Sequence, residues 1–389
     1  MTVVQLPTPA GSIESYSVGS PTAFPHHPVG DLPRVAYSAV HVVADPMADV
    51  DPWGQIAIDW DGTLAYRRYL WGLGLGVAEA MDTAQRGMGL DWPTALELIR
   101  RSVAEARDHG PGARIACGAG TDHLPPRSDL SINEVIDAYE TQCAAVEDAG
   151  GHIILMASRA LAACARGADD YAAVYDRILS QVRAPVIIHW LGEMFDPALA
   201  GYWGHDDHWQ AMEVCLDVVR RNADKIDGIK ISLLSAEKEI AMRRRLPNDV
   251  RMYTGDDFNY AELIAGDDQG YSDALLGIFD AIAPAASAAL QAMGEGDMAR
   301  YHAYLAPTVA LSRHIFQAPT RYYKTGLVFM SYLNGHQDHF TMLGGQQSAR
   351  SALHLAELFR LADCAGLLLE PDLAARRMTA VMRVHGVEG

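Results

Sequence analysis

Lysine is almost absent from this chain. Lysine and arginine together number 31, yet only four are lysines: Lys225, Lys230, Lys238 and Lys324. Cysteine pairing is absent as well. Cys117, Cys143, Cys164, Cys215 and Cys364 are odd in number and widely spaced, and no C-x-x-C occurs. That pattern excludes a disulfide framework and a zinc ribbon and fits a reducing cytoplasm. The opening residues, Met1-Thr2-Val3-Val4-Gln5-Leu6-Pro7, lack a basic start and a long apolar run, so no secretory signal is expected. No uncharged apolar stretch reaches membrane-spanning length. Positive charge is in deficit, with a net charge of -18. This argues against nucleic acid or an anionic membrane as partner.

What the chain does have is length and apolar content: 389 residues, 49% of them hydrophobic, enough for a large core. Residues 1–32 are rich in Pro, Gly and Ser and read as an irregular N-terminal arm. Short apolar strands follow at 35–43, 73–80, 114–118, 152–157, 185–190, 228–233, 250–254 and 274–279. Helical patterns fall between them at 94–106, 132–148, 171–181, 209–222 and 237–246. Eight strands in this rhythm predict an α/β fold, a (β/α)8 TIM barrel over 33–284. The stretch between the first two strands is unusually long for the pattern and reads as a place for an insertion. From 285 to 389 the strand signal stops. Helices are expected at 285–293, 298–316, 322–333, 346–365 and 372–383, forming a helical C-terminal extension.

Lys230 stands apart from the other basic residues because it sits inside an apolar strand, Asp227-Gly228-Ile229-Lys230-Ile231-Ser232-Leu233. Arginine replaces lysine as a surface charge but not as an amine nucleophile, since guanidinium keeps its proton. Strand side chains alternate, so Gly228, Lys230 and Ser232 share one face. In a closed barrel that face looks inward, near the carboxyl ends of the strands where active sites of this fold gather. Burial there disfavours the ammonium and supplies free amine. The plainer alternative is a lysine held in an interior ion pair.

The run Asp227-Gly228-Ile229-Lys230 resembles the Schiff-base lysine strand of the dihydrodipicolinate synthase / N-acetylneuraminate lyase superfamily. Further matching segments are Met252-Tyr253-Thr254-Gly255-Asp256-Asp257, Ile282-Ala283-Pro284, Gly296-Asp297, Leu305-Ala306-Pro307 and Tyr323-Lys324-Thr325-Gly326. The resemblance covers 226–335 well and is thin upstream. It implies a (β/α)8 barrel with a helical tail, and a class I aldolase or lyase in which Lys230 forms the imine without an external cofactor. It also implies a homo-oligomer, dimer or tetramer. Two departures stand out. Where the family carries Gly-Thr-Thr-Gly-Glu to grip an oxo-acid carboxylate, this chain has Ala80-Met81-Asp82-Thr83-Ala84-Gln85-Arg86-Gly87, and only Thr83 stands in. Where the family has a proton-relaying tyrosine, this chain has His189. The expected substrate is a small keto-acid or keto-sugar-like carbonyl compound.

His189 is then a candidate general acid/base, or a hydrogen-bonded interior histidine. Asp82 and Thr83 are candidate substrate-binding residues, or helix caps, and Asp82 could instead hold Arg86. Gly255 allows a close backbone approach. Asp256 is a candidate hydroxyl binder, with helix capping as its alternative. The loop from Gly192 to His208 is rich in aromatics and carboxylates and reads as a pocket lining or as a self-packed loop.

Three other functions compete. Asp59 and Asp61, in Ile56-Ala57-Ile58-Asp59-Trp60-Asp61-Gly62-Thr63-Leu64, resemble the nucleophile motif of haloacid-dehalogenase-type phosphatases. In the barrel reading Asp61-Gly62 is a turn before the first helix. A metal-dependent lyase or isomerase on the same barrel would draw ligands from Asp82, His152, His189, Glu193 and His205. A non-catalytic barrel that binds a small molecule would leave Lys230 as an ion pair.

Overall fold

Eight short parallel strands form a closed ring in the computed structural model, which describes residues 2–387 apart from His26, His27, Val29 and residues 82–84. The ring is preceded by an antiparallel hairpin, β1 (Val3–Pro7) and β2 (Ile13–Ser17). Its own strands are β3 (Ala36–Ala39), β4 (Gly76–Glu79), β5 (Ile115–Ala119), β6 (His152–Leu155), β7 (Val186–Leu191), β8 (Ile226–Ser232), β9 (Arg251–Thr254) and β10 (Asp273–Leu276). They pair in chain order, and β10 closes onto β3. With helices between the strands and further helices after the last, this is a TIM barrel followed by C-terminal helices. All eight strands fall where the sequence placed them. The hairpin corrects the reading of residues 1–32 as irregular: its alternation is too short and too polar to register as strand without its partner.

Two compact units make up the chain. The first holds Arg34–Val40 and Leu75–Gly277, and with them every barrel strand. Inward-facing Ala39, Ala78, Ala116, Ile154, Ile187, Tyr253 and Leu275, one from each of seven strands, fill the ring together with Met81. Small residues line one side of this interior, Ala39, Ala78 and Ala116 on β3 to β5, and larger ones the other. A Cβ on Gly228 would lie 2.6 Å from the Tyr253 ring, and one on Gly76 would lie 2.6 Å from the Tyr37 ring. These glycines therefore make room for the aromatics beside them. The surrounding helices follow their sequence signals. In Ile132–Ala149, Ser131 and Glu134 form a capping box, Val135, Ala138, Tyr139, Gln142, Cys143 and Val146 make the buried stripe, and left-handed Gly150 ends the helix. Losing the Ser131 cap would cost about 1 kcal/mol.

The second unit holds Met1–Pro33, His41–Gly74 and Ile278–Gly389. It contains the hairpin, the helix Trp60–Gly72 and the helices Ala283–Gly294, Met298–Ile315, Tyr323–Leu333, Ala352–Cys364 and Pro371–Val384. Tyr323–Leu333 is buried on all sides, as a helix apolar around its circumference must be; Lys324 lies within it. Asp59 caps Trp60–Gly72 by accepting from the Gly62 amide at 3.0 Å, and Asp61 sits in the first turn. Ile58 makes only an isolated bridge with Ala44. The two aspartates of the phosphatase-like motif thus start a helix and do not follow a sheet strand. Among the described residues no helix is long and apolar enough to cross a membrane.

Candidate active site

Lys230 lies on β8 with 5% of its surface exposed. Its register partners are His189 on β7 and Tyr253 on β9. Tyr253 belongs to the interior cluster, so Lys230 shares the inward face and lies toward the carboxyl end of its strand. Gly255, one alternation beyond Tyr253, explains how the long side chain fits. A Cβ there would meet Lys230 Cε at 2.8 Å, the Ile231 carbonyl oxygen at 2.6 Å, and Ser232 Oγ. The absent side chain at 255 makes room for the lysine stem, a more specific role than a general close approach to substrate.

His189 is 1% exposed, and its Nε2 lies 3.2 Å from Ser232 Oγ. Burial, and then the positive charge of Lys230, push the imidazole well below its ordinary pKa. The ring is therefore neutral at physiological pH. A neutral imidazole has one N–H and one lone pair, so it can donate to or accept from a group on its neighbour without competing for the site's positive charge. Ser232 was legible as a same-face neighbour of Lys230; its bond to His189 follows from the Leu191–Ser232 register of β7 and β8.

The other sequence candidates are placed differently. Asp82 and Thr83 lie outside the described residues. Asp256 follows β9 and is 1% exposed. Its Oδ1 accepts from the Phe258 and Asn259 amides at 2.9 and 3.1 Å, and its Oδ2 accepts from Asn259 Nδ2 at 2.7 Å. These contacts fit the capping alternative. Arg86 is fully buried and held by Asp122, whose Oδ2 accepts from Nε at 3.1 Å, with further bonds to Gln142 and to the Gly118 carbonyl at 2.8 Å. Burial works against the Asp122 carboxylate, but Arg86 and Gln142 outweigh it and hold its pKa below the ordinary value. The long loop after β7 packs against the helix Ala168–Leu179 and against β7. Phe195, Tyr202 and Trp203 are buried, and Trp203 lies against Tyr171, Tyr175 and Trp190. His152 opens β6 at its exposed amino end, and Glu193 is engaged by His208 at 3.1 Å. Among the described residues no three His, Cys, Asp or Glu side chains converge on a metal position.

One buried acid escaped the sequence reading. Glu239, 1% exposed, accepts from Thr254 Oγ1 at 2.9 Å and from Ser272 Oγ at 2.7 Å. Burial raises its pKa to about 8, with Asp256 adding to the rise. On sequence it was one acid among several on a polar helix, and only its third-dimension neighbours single it out.

Solved structures share this fold. The prophage protein YagE of E. coli K12, a member of the dihydrodipicolinic acid synthase family solved with pyruvate, aligns with a TM-score of 0.64 at 16% identity, over 86% of this chain and 99% of its own. Dihydrodipicolinate synthase from Aquifex aeolicus aligns with a TM-score of 0.63 at 12% identity, over 87% and 99%. A protein from Pseudomonas aeruginosa described as a dihydrodipicolinate synthetase gives 0.61 at 15%, over 85% and 99%. No curated protein matches the sequence significantly. The family match runs along almost the whole sequence, residues 4–387, and by it the chain belongs to the family described as "Protein of unknown function (DUF993)".

Proposed function

We propose that the barrel houses a class I, Schiff-base lyase centre acting on a small keto-acid or keto-sugar-like carbonyl compound through Lys230. The observation that carries this reading is a buried lysine on the inward face of β8, in register with a histidine held neutral. The shared fold with dihydrodipicolinate synthases supports it, as does the pyruvate bound by one fold relative.

The chemistry follows from the groups present. Lys230 first releases its ammonium proton; its Nζ lone pair then attacks the substrate carbonyl carbon, and a proton passes from the nitrogen to the carbonyl oxygen to give a carbinolamine. Loss of that hydroxyl as water leaves an iminium. The iminium accepts the electron pair of the Cα–Cβ bond as it breaks, giving an enamine, while the β-hydroxyl loses its proton and that fragment departs as an aldehyde or ketone; protonation of the enamine at carbon and addition of water release the second carbonyl product and the amine. His189, bonded to Ser232, is assigned the proton transfers at the carbinolamine oxygen. Gly255 leaves room for the stem of Lys230.

The test uses two carbonyl probes, pyruvate and dihydroxyacetone, each with sodium borohydride and followed by peptide mass mapping. A reduced adduct on Lys230, and on none of Lys225, Lys238 or Lys324, is the expected result. Adducts spread over exposed amines, or none with either probe and a wider set of ketones, would remove the imine reading.

A further inference from the structure

The second unit, which carries none of the barrel strands, holds a cavity of about 830 Å3. Small-molecule sites commonly span roughly 300–1,000 Å3. One wall is a face of the helix Trp60–Gly72. Ala65, Arg68, Tyr69 and Gly72 line it, at spacings that share one side of a helix. Small residues on that face keep the space open: a Cβ built on Gly72 would have no atom within 4 Å. A second wall is the arm segment 21–25. The arm is pinned there. The Thr22 amide donates to the Gly366 carbonyl at 3.0 Å, and the buried Phe24 ring lies 5.7 Å from the Tyr304 ring, centroid to centroid. Leu73, Pro284 and Leu369 add to an apolar lining. A ligand would meet walls already in place.

The charge of the lining has one sign. Among the described residues that form it, Arg68 is the one charged side chain and no carboxylate is present, although the whole chain has a net charge of -18. Arg68 is exposed, so it stands where the cavity meets solvent. Its guanidinium keeps its proton and offers paired N–H groups that match a carboxylate. Tyr69 adds a second donor. Its ring packs against Tyr66 and His336, with centroids 5.5 and 4.4 Å apart. Burial raises its pKa, so the phenol keeps its proton. Its hydroxyl makes no hydrogen bond among the described residues. A phenol O–H partly shielded from water needs an acceptor. The two polar groups thus suit an anion, and the rest of the lining suits hydrocarbon.

We propose that this cavity binds a small organic acid, an apolar body carrying one carboxylate, with the carboxylate held by Arg68 and the Tyr69 hydroxyl and the body against Phe24, Leu73, Pro284 and Leu369. Binding removes apolar surface of both partners from water. The carboxylate exchanges hydration for charge-assisted hydrogen bonds. An alcohol of the same shape keeps the apolar contacts and loses the ionic one, and an amine is repelled by Arg68. A carboxylate forms no imine, and Lys230 belongs to the other unit. The proposal therefore stands apart from the lyase reading.

The experiment titrates the full-length protein with 1-pyrenebutyrate and with its uncharged counterpart 1-pyrenebutanol, read by fluorescence anisotropy. The wild type should bind the acid saturably and about tenfold more tightly than the alcohol, the weight of one charge-assisted bond. Arg68→Gln and Tyr69→Phe should each weaken the acid by about tenfold and leave the alcohol within about twofold. Ala65→Trp, at an exposed position of the helix, sets an indole into the cavity and should abolish binding of both probes. Lys230→Met should bind the acid as the wild type does. No saturable binding of the acid by the wild type, or equal affinity for acid and alcohol, overturns the proposal, and this comparison needs no variant to fold. Wild-type affinity for the acid in both Arg68→Gln and Tyr69→Phe overturns it as well. So does acid binding that survives Ala65→Trp with unchanged circular dichroism, or that is lost in Lys230→Met, since either result places the ligand elsewhere.

Discussion

Two buried histidines in this chain are held in opposite ways. His189, in the barrel, neighbours a cation and touches a hydroxyl. His41, in the other unit, is backed by a carboxylate. The first arrangement fixes a charge state: beside Lys230, a proton on the imidazole is repelled, and the ring stays neutral. The second fixes a donor: Nδ1, facing an ionised carboxylate that only accepts, carries a proton. Burial is the larger cause of the neutral ring at His189, and Lys230 adds to it; at His41 the neighbouring carboxylate is what engages Nδ1.

The sharpest way to break this contrast is to remove the cation. Lys230→Met should abolish borohydride trapping altogether, since no amine remains to form the imine. It should also relieve the repulsion on His189, raising its pKa, while the His41 ring signals stay where they were. If the His189 titration does not move in Lys230→Met, the electrostatic half of the comparison is wrong.

Gly255→Ala is expected to act next most strongly. The new methyl would contend with Lys230 Cε, Ser232 Oγ and the Ile231 carbonyl. Overpacking of this kind costs about 1–3 kcal/mol, and a reactive group shifted by about 1 Å loses on the order of 100-fold in rate. Urea unfolding and the trapping rate report the two effects separately. Wild-type trapping in the alanine variant would show that the stem of Lys230 has another path.

Acid and base should destabilise the barrel through different groups. His189 has a depressed pKa in the folded state, so the unfolded chain binds the extra proton first. Its contribution is present above about pH 6.5, the unfolded value, and is lost as the pH falls below it. Glu239 is raised to about 8. Its contribution is present below the ordinary glutamate range and is lost as the pH rises from there through about 8. Thermal melts across pH should therefore show His189→Gln flattening the acid limb and Glu239→Gln flattening the alkaline one. A Glu239→Gln protein with the wild-type alkaline limb would place the titrating group elsewhere.

The smallest effect belongs to Ser232→Ala. It removes the 3.2 Å contact to His189, worth about 1 kcal/mol for a neutral pair. Trapping should slow by about tenfold or less, with the Lys230 adduct still formed. Complete loss of the adduct would mean that Ser232 does more than orient His189.

Much of the barrel was legible because its signals are local. An apolar strand of the right length, repeated eight times between amphipathic helices, leaves few other architectures. Lys230 was conspicuous because the chain uses arginine nearly everywhere else. Its face followed from alternation, and Ser232 with it. The capping alternative for Asp256 was legible as well, and the amides of Phe258 and Asn259 fit it. The Arg86–Asp122 pair was not legible, since its members are 36 residues apart; Asp82, which the sequence offered as one possible partner of Arg86, lies outside the described residues. The hairpin of β1 and β2 was missed for want of apolar alternation. Glu239 looked like any surface acid on a helix.

What the sequence determined by itself was whatever depends on residues a few positions apart: strand and helix periods, caps, the inward face of β8, and a lysine set inside an apolar strand. Only the tertiary structure decided which distant groups meet. His41 and Asp280 are 239 residues apart, and Glu239 finds Thr254 and Ser272 only after its helix has docked. A side chain's charge and proton are set by the field of what lies within a few ångströms, and the linear chain does not specify those neighbours until it has folded.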